Sequence, residues 1–322
     1  MDQKYYIGID VGGTKILAAV VDKAGRIKAR EKQPTPKNAN SKEILRTIMT
    51  TIVTVQKKAG LSLKDIAGIG LAVPGIVDPV KGKILITPNT GLSGLDISKE
   101  LKKKFGKIKI AVGNDVNLGI LGECWLGVAK GARNVVGIFP GTGVGGGVVI
   151  DGRLLLGKHG AAAEVGHMIV QVNGPRCSCG NKGCLEALSG RWAIEKALRL
   201  SLKQGRKTIV TKLLGGKLKT IKSKTLAKAL QKKDKLVTEL LTSAACALGS
   251  ACISLRHIFD PEMIVFGGGL IEACGDFYLP IIQKTVAKDP FFGKLGPVKI
   301  VRSKLGDDAV VLGAVALALV KG

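Results

Sequence analysis

The chain has 322 residues, 46% of them hydrophobic, with 44 glycines and a formal net charge of +26. That length accommodates two domains with separate cores, and that apolar content excludes an intrinsically disordered chain. Met1–Tyr6 is short and polar, which excludes a secretory signal, and the most apolar run, Ala309–Val320, is too short to cross a bilayer, so a soluble cytoplasmic protein without a membrane partner is expected.

Tyr5–Asp10 reads as an apolar strand, Val11-Gly12-Gly13-Thr14-Lys15 as a turn, and Ile16–Asp22 as a second strand, with a third near Arg26–Gln33. The glycines of this D-x-G-G-T-K hairpin let backbone N–H groups approach a phosphate, Thr14 adds a hydroxyl, and Asp10 can hold magnesium through water. An ordinary glycine turn has the same pattern. Ser41–Ala59 has helical apolar spacing with Ser41 as its expected cap, and Ile66–Val73 is a buried-type strand leading into Pro74-Gly75. Asn89 lies in a loop, where it is either a turn former or an amide for a sugar hydroxyl. Asp96–Phe105 reads as a short helix, and Ile108–Gly113 as a strand running into Asn114-Asp115 and a helix over Val116–Gly127. Asp115 can face a ligand crevice or cap that helix, and local sequence favours the cap.

Val135–Phe139 is a strand followed by Gly141-Thr142-Gly143-Val144-Gly145-Gly146-Gly147, a formal G-x-G-x-x-G. Because Val148–Ile150 continues as strand rather than helix, a dinucleotide fold is rejected in favour of a second strand–glycine turn–strand. Helices are expected near Arg191–Lys203, Lys222–Gln231 and Leu236–Arg256, then a strand at Met263–Phe266 and a helix opening at Gly267-Gly268-Gly269. Pro297–Val301 is the last expected strand, with Asp307 or Asp308 capping the terminal helix.

The most specific stretch is Glu164–Glu186, where Cys177, Cys179 and Cys184 form a C-x-C-x4-C run ten residues beyond His167. Three thiolates and an imidazole complete a closed, structural zinc tetrahedron. A disulfide is the alternative, disfavoured by seven cysteines and no sign of an oxidising compartment. Fifteen Lys/Arg against Glu195 and Asp234 fall between Arg191 and Lys235, about half the charge excess. Without interleaved aromatics they read as a solvated basic face rather than a nucleic-acid platform.

The glycine hairpins, Val73-Pro74-Gly75, Gly113–Asn117, Gly160–His167, Cys177–Glu186, Phe266–Leu270 and Gly313-Ala314 together resemble the repressor/open-reading-frame/kinase (ROK) sugar kinases, nearly end to end. The resemblance implies an α/β, two-lobed actin/hexokinase-like (ribonuclease H-like) ATPase fold with an interlobe cleft. Its lobes would be 1–116 plus 306–322 and 117–305. It implies ATP-dependent phosphorylation of a hexose 6-hydroxyl, most like glucokinase, with N-acetylmannosamine or N-acetylglucosamine kinase as alternatives. Asp115 would be the general base, and Gly75, Asn89, Asn114, Glu164, His167 and Glu186 the sugar ligands. Asp10, Gly12, Gly13, Thr14, Lys15, Thr142 and Gly143 would hold magnesium and phosphates, and Gly267, Gly268 and Gly269 the adenosine. Homodimerisation is implied; a regulatory nucleic-acid-binding protein is the rival class, set against the nine residues that precede Asp10. Polyphosphate is the rival donor. One departure is Ala163, where the family has glycine, beside Glu164.

Overall fold

The computed structural model describes residues 4–88, 90–216 and 220–320. Asn89 lies outside them. The chain divides into two compact units, one of Met1–Arg133, Gly147–Ala163 and Asp307–Gly322, the other of Asn134–Gly146 and Glu164–Gly306.

In chain order the elements begin with strands β1 (Tyr5–Val11), β2 (Lys15–Asp22) and β3 (Ile27–Pro34) and helix α1 (Ser41–Lys58). Next come β4 (Ile66–Val73), β5 (Ile76–Val77), β6 (Ile84–Ile86), α2 (Ile97–Phe105), β7 (Lys109–Asn114) and α3 (Asp115–Leu126). Strands β8 (Val135–Pro140), β9 (Val144–Ile150) and β10 (Arg153–Leu154) precede α4 (Leu185–Ser189), α5 (Arg191–Lys203), α6 (Val210–Leu213) and α7 (Ser223–Gln231). The chain closes with α8 (Lys235–Phe259), β11 (Met263–Phe266), α9 (Gly269–Val286), β12 (Lys299–Arg302) and α10 (Ala309–Val320).

The first sheet has the order β3-β2-β1-β4-β7, and the second β10-β9-β8-β11-β12. In the first, β1 and β2 form the antiparallel hairpin expected around Gly12-Gly13, while β4 is parallel to both β1 and β7. Its core joins Ile7, Ile9, Ile16 and Val20 of the hairpin to Ile44, Ile48 and Ile52 of α1 and Ile69 and Leu71 of β4. Helix α10 lies so close that a Cβ on Gly70 would meet the Ala314 carbonyl oxygen at 1.9 Å, and one on Gly313 the Leu118 oxygen at 1.6 Å. Backbone contact of that kind needs glycine.

In the second unit the long helix α8 buries Leu236, Leu241, Ala244, Leu248, Ala251 and Leu255. It is long and apolar enough to cross a membrane by length and composition alone. Those buried positions make it the core helix of its unit, packed on α4, α5 and α9.

Two expected caps move by one residue. Asn40, not Ser41, caps α1, in a capping box with Glu43. Asn114, not Asp115, caps α3, its Oδ1 accepting from the Val116 and Asn117 N–H groups. In both cases the amide sits one residue outside the helix, where the Asn40 oxygen reaches the third helical donor and the Asn114 oxygen the second and third. The last strand begins at Lys299, and Asp307 and Asp308 lie in a 3-10 turn at Gly306–Asp308, directed at Lys15 and Arg30.

Candidate functional site

In the first unit the candidate residues gather at the carboxyl ends of the parallel strands, where open α/β sheets bind ligands. Asp10 pairs in register with Ala72, and Val73 with Asn114, so the ends of β1, β4 and β7 are level. Gly75 has φ +100°, and a Cβ there would meet the Ile86 carbonyl oxygen at 2.1 Å, so the turn after β4 requires glycine. Its carbonyl accepts from Asn114 Nδ2 at 2.9 Å. Asn114 is thereby fixed at both ends of its amide, keeping one N–H for a ligand.

With Asn114 as the cap, Asp115 follows at the first position of α3. Its Oδ1 shares the Val116 N–H at 2.9 Å, which leaves Oδ2 to take a proton. Burial pushes its carboxyl above the usual carboxylate range. That is the direction a general base requires. Asp10 is pushed up to about 7, by burial first and then by the charge of Asp115, with Lys15 opposing and Asp307 adding to the rise. Lys15 in turn is paired with Asp307 at 2.8 Å. In the turn between β1 and β2, Gly12 donates to the Lys15 carbonyl, and Thr35 fixes the Gly12 carbonyl. The Gly13 and Thr14 N–H groups meet no acceptor among the described residues.

An acid whose folded pKa lies above its unfolded value supports the fold only while protonated. The Asp10 contribution is therefore present below its ordinary 3.8 and is lost as pH rises to about 7. The loss is at most about 4 kcal/mol, from some three pH units at ~1.4 kcal/mol each. Asp10→Asn should flatten this slope in metal-free denaturation series between pH 4 and 8; parallel wild-type and variant curves would refute the assignment.

The second unit repeats the arrangement. β8 and β11 are parallel neighbours with Ile138 opposite Phe266, so the Gly141–Gly143 turn and the Gly267–Gly269 cluster leave adjacent strand ends. Glycine packs tightly here: a Cβ on Gly268, at φ +80°, would sit 2.9 Å from the Pro140 oxygen. The Gly141 and Thr142 carbonyls accept from the first two N–H groups of α5, those of Arg191 and Trp192. The turn therefore faces outward with its Thr142 and Gly143 N–H groups, which have no acceptor among the described residues.

His167, Cys177, Cys179 and Cys184 converge, with their ligand atoms all within 4.8 Å of one another. Cys179 Sγ lies 3.6 Å from Cys184 Sγ, and Cys177 Sγ 3.8 Å from His167 Nδ1. A tetrahedral ion with bonds of ~2.0–2.3 Å requires edges of about 3.5–3.8 Å, so the donor set and spacing fit zinc. Burial and the neighbouring sulfurs push the Cys184 thiol up to about 12, whereas Cys179 is lowered, foremost by the Asn181 backbone N–H. A divalent cation would replace that competition with three thiolates. Gly180 and Gly183 have positive φ and supply the turns of the loop.

Glu186 ties this loop to the glycine turn. Its Oε1 accepts from Trp192 Nε1 at 3.1 Å and Ser178 Oγ at 3.2 Å, and its Oε2 from the Val144 N–H at 3.0 Å. Trp192 packs on Cys177, Cys184 and Ala187. Sequence reading passed over Ser178, Arg191 and Trp192: Arg191 meets Thr142 49 residues away, and Ser178 and Trp192 reach Glu186 across eight and six residues, spacings that carry no motif. Glu164 precedes and His167 ends a 3-10 turn at Val165–His167. Ala163, the residue before Glu164, has φ +64°. A left-handed alanine costs roughly 1 kcal/mol more than glycine, so Ala163→Gly should raise stability by about that amount in denaturant titrations; a loss of stability would show that the methyl group has a compensating contact.

Residues 6–321 match the ROK family. The chain is 34% identical over 313 residues to a glucokinase of Thermotoga maritima, covering 97% of this chain and 96% of that enzyme. It is 29% identical over 314 residues to a xylose repressor of Caldicellulosiruptor bescii, covering 97% of this chain and 77% of the repressor. Among solved structures it resembles a ROK family glucokinase of Streptomyces griseus in complex with glucose and AMPPNP, with TM-score 0.82, 29% identity and coverage of 99% and 100%. That likeness identifies the fold class as α/β, two-lobed and actin/hexokinase-like. The chain belongs to the ROK family.

Proposed function

We propose that this protein is a hexokinase-type phosphotransferase that moves the γ-phosphoryl group of ATP to the 6-hydroxyl of glucose. The observation that carries the reading is the state of Asp115. Asn114 takes over the helix cap, and burial raises the carboxyl above the ordinary carboxylate range, the direction a base requires. Kinship to glucokinases over nearly the whole chain supports the substrate.

In this reading Asp115 accepts the 6-hydroxyl proton as the oxygen attacks. Asn114 and Gly75, with Glu164, His167 and Glu186, orient the sugar hydroxyls; Asn89 belongs to the same set by family resemblance. The backbone donors at Gly12–Thr14 and Thr142–Gly143 hold donor phosphates, Lys15 adds charge, and Gly267–Gly269 lie against adenosine. Phosphoryl transfer depends on this positioning and charge neutralisation more than on covalent help. Magnesium, held through water by Asp10, would neutralise charge on the phosphates. Zinc on His167, Cys177, Cys179 and Cys184 would be structural, fixing the loop that carries Glu186. A cytoplasmic location is in keeping with the reduced thiols this requires, and both it and homodimerisation rest on family resemblance.

A panel of glucose, mannose, N-acetylmannosamine and N-acetylglucosamine, with ATP or polyphosphate as donor, tests the substrate. Glucose with ATP should give the highest kcat/KM; a preference for an N-acetylhexosamine would reassign the sugar. The kinship to repressors supports a second reading, a sugar-responsive DNA-binding protein. A salt-resistant gel shift without kinase turnover would favour it.

A further inference from the structure

The turn at Gly141–Gly143 is held by a cation that meets no carboxylate among the described residues. Arg191 opens α5, a 13-residue helix whose N-cap, Gly190, offers no side chain. Its Nη2 donates to Thr142 Oγ1 at 2.8 Å and its Nη1 to the Ile221 carbonyl at 2.8 Å. The Ile221 N–H is held in turn by Glu195 Oε2 at 3.1 Å. The guanidinium is thus locked between the glycine turn and the strap leading to α7.

Arg26, Arg30, Arg133, Arg199, Arg206 and Arg302 each face a carboxylate. Arg191, like Arg46, Arg153, Arg176 and Arg256, faces none among the described residues; what sets it apart is that two of its five donors are fixed on neutral oxygens of the glycine turn and the strap. A fixed, unneutralised guanidinium beside outward-facing backbone N–H groups is the chemistry that takes phosphate oxygens. The strap leads to Ser223 at the start of α7.

We propose that Arg191 is a donor-binding residue: it contacts the phosphate chain of the nucleoside triphosphate and sets the Thr142 hydroxyl for the same anion. This rests on the kinase reading above and adds a residue to it. A charge that reads phosphate and not base has a distinctive signature: affinity for the nucleotide should fall with loss of Arg191 in proportion to the phosphates present.

Calorimetry on the full chain, with magnesium, measures binding of AMPPNP, ADP and adenosine to wild type, Arg191→Gln, Arg191→Lys and Thr142→Val. Arg191→Gln should weaken AMPPNP roughly 10- to 100-fold, as loss of a charge-assisted hydrogen bond predicts, and leave adenosine within about two-fold. Arg191→Lys should recover part of the loss, since it keeps the charge without the fixed fork. Turnover should show the loss in KM for ATP, with KM for glucose unchanged. Equal weakening of adenosine and AMPPNP would reduce Arg191 to a brace of the strap, and unchanged AMPPNP affinity would remove it from the donor site. Should Arg191→Gln not fold, Arg191→Lys and Thr142→Val decide by the same comparison. A wild type that binds no nucleotide overturns the kinase reading, and this inference with it.

Discussion

Asp115→Asn should lower glucose phosphorylation by about 100- to 10,000-fold, the usual contribution of a positioned general base, while glucose affinity stays within roughly two-fold. The asymmetry follows from the local geometry. An amide oxygen at this position can still accept the Val116 N–H that Asp115 Oδ1 shares, and the cap belongs to Asn114, so α3 keeps its start. Only the proton acceptor is lost. Intrinsic fluorescence titration gives glucose binding and a coupled ADP assay gives turnover. Parallel loss of both would make Asp115 a binding residue, and retained turnover would move the base elsewhere. The raised pKa also sets the pH dependence. In wild type the base must ionise before it can act, so kcat/KM should rise with pH from an inflection above the ordinary carboxylate range. That inflection should vanish from the residual activity of the variant.

The second large effect concerns the metal. Purified protein should carry one zinc per chain, and Cys184→Ser should bring it close to zero, because this sulfur is fully buried among the other donors. Loss of the ion leaves thiols that cannot all ionise together, and the loop between His167 and Cys184 then rests on its backbone turns, the Ser178–Glu186 bond and Trp192. Stability should fall by several kcal/mol, about 3 or more, since the free energy of binding a structural metal is part of the folding free energy. Glucose affinity should fall as well, through Glu186, whose Oε1 shares Ser178 with this loop. Metal analysis and denaturation with and without a strong chelator give the answer. Full stability and activity in metal-free protein would show that the four donors are held by the fold alone.

Much of this architecture is written locally. The alternating and continuous apolar runs around Tyr5–Asp22, Ile66–Val73 and Met263–Phe266 place those strands to within a residue, because strand and turn signals there lie within a few positions of each other. The cysteine spacing announces its own cluster, since a closed metal site needs ligands of few kinds at short intervals. Other features depend on contacts that spacing does not record. Asn114 and Asp115 are both good caps by sequence, and the bond that anchors the Asn114 amide runs to Gly75, 39 residues away. Thr142 and Arg191 are 49 residues apart, and nothing near either predicts the other. The short pair β5 and β6 and the five-residue α4 are too brief for periodicity to reveal. The strain at Ala163 is a backbone property, visible in sequence only as a departure from the family's glycine.

The most direct test of the account is the reaction itself. Purified protein supplied with glucose, ATP and magnesium should release ADP and form glucose 6-phosphate in equal amounts, with the phosphorylated position assigned by phosphorus NMR. ADP release that is independent of sugar, or a product phosphorylated at another hydroxyl, would contradict it.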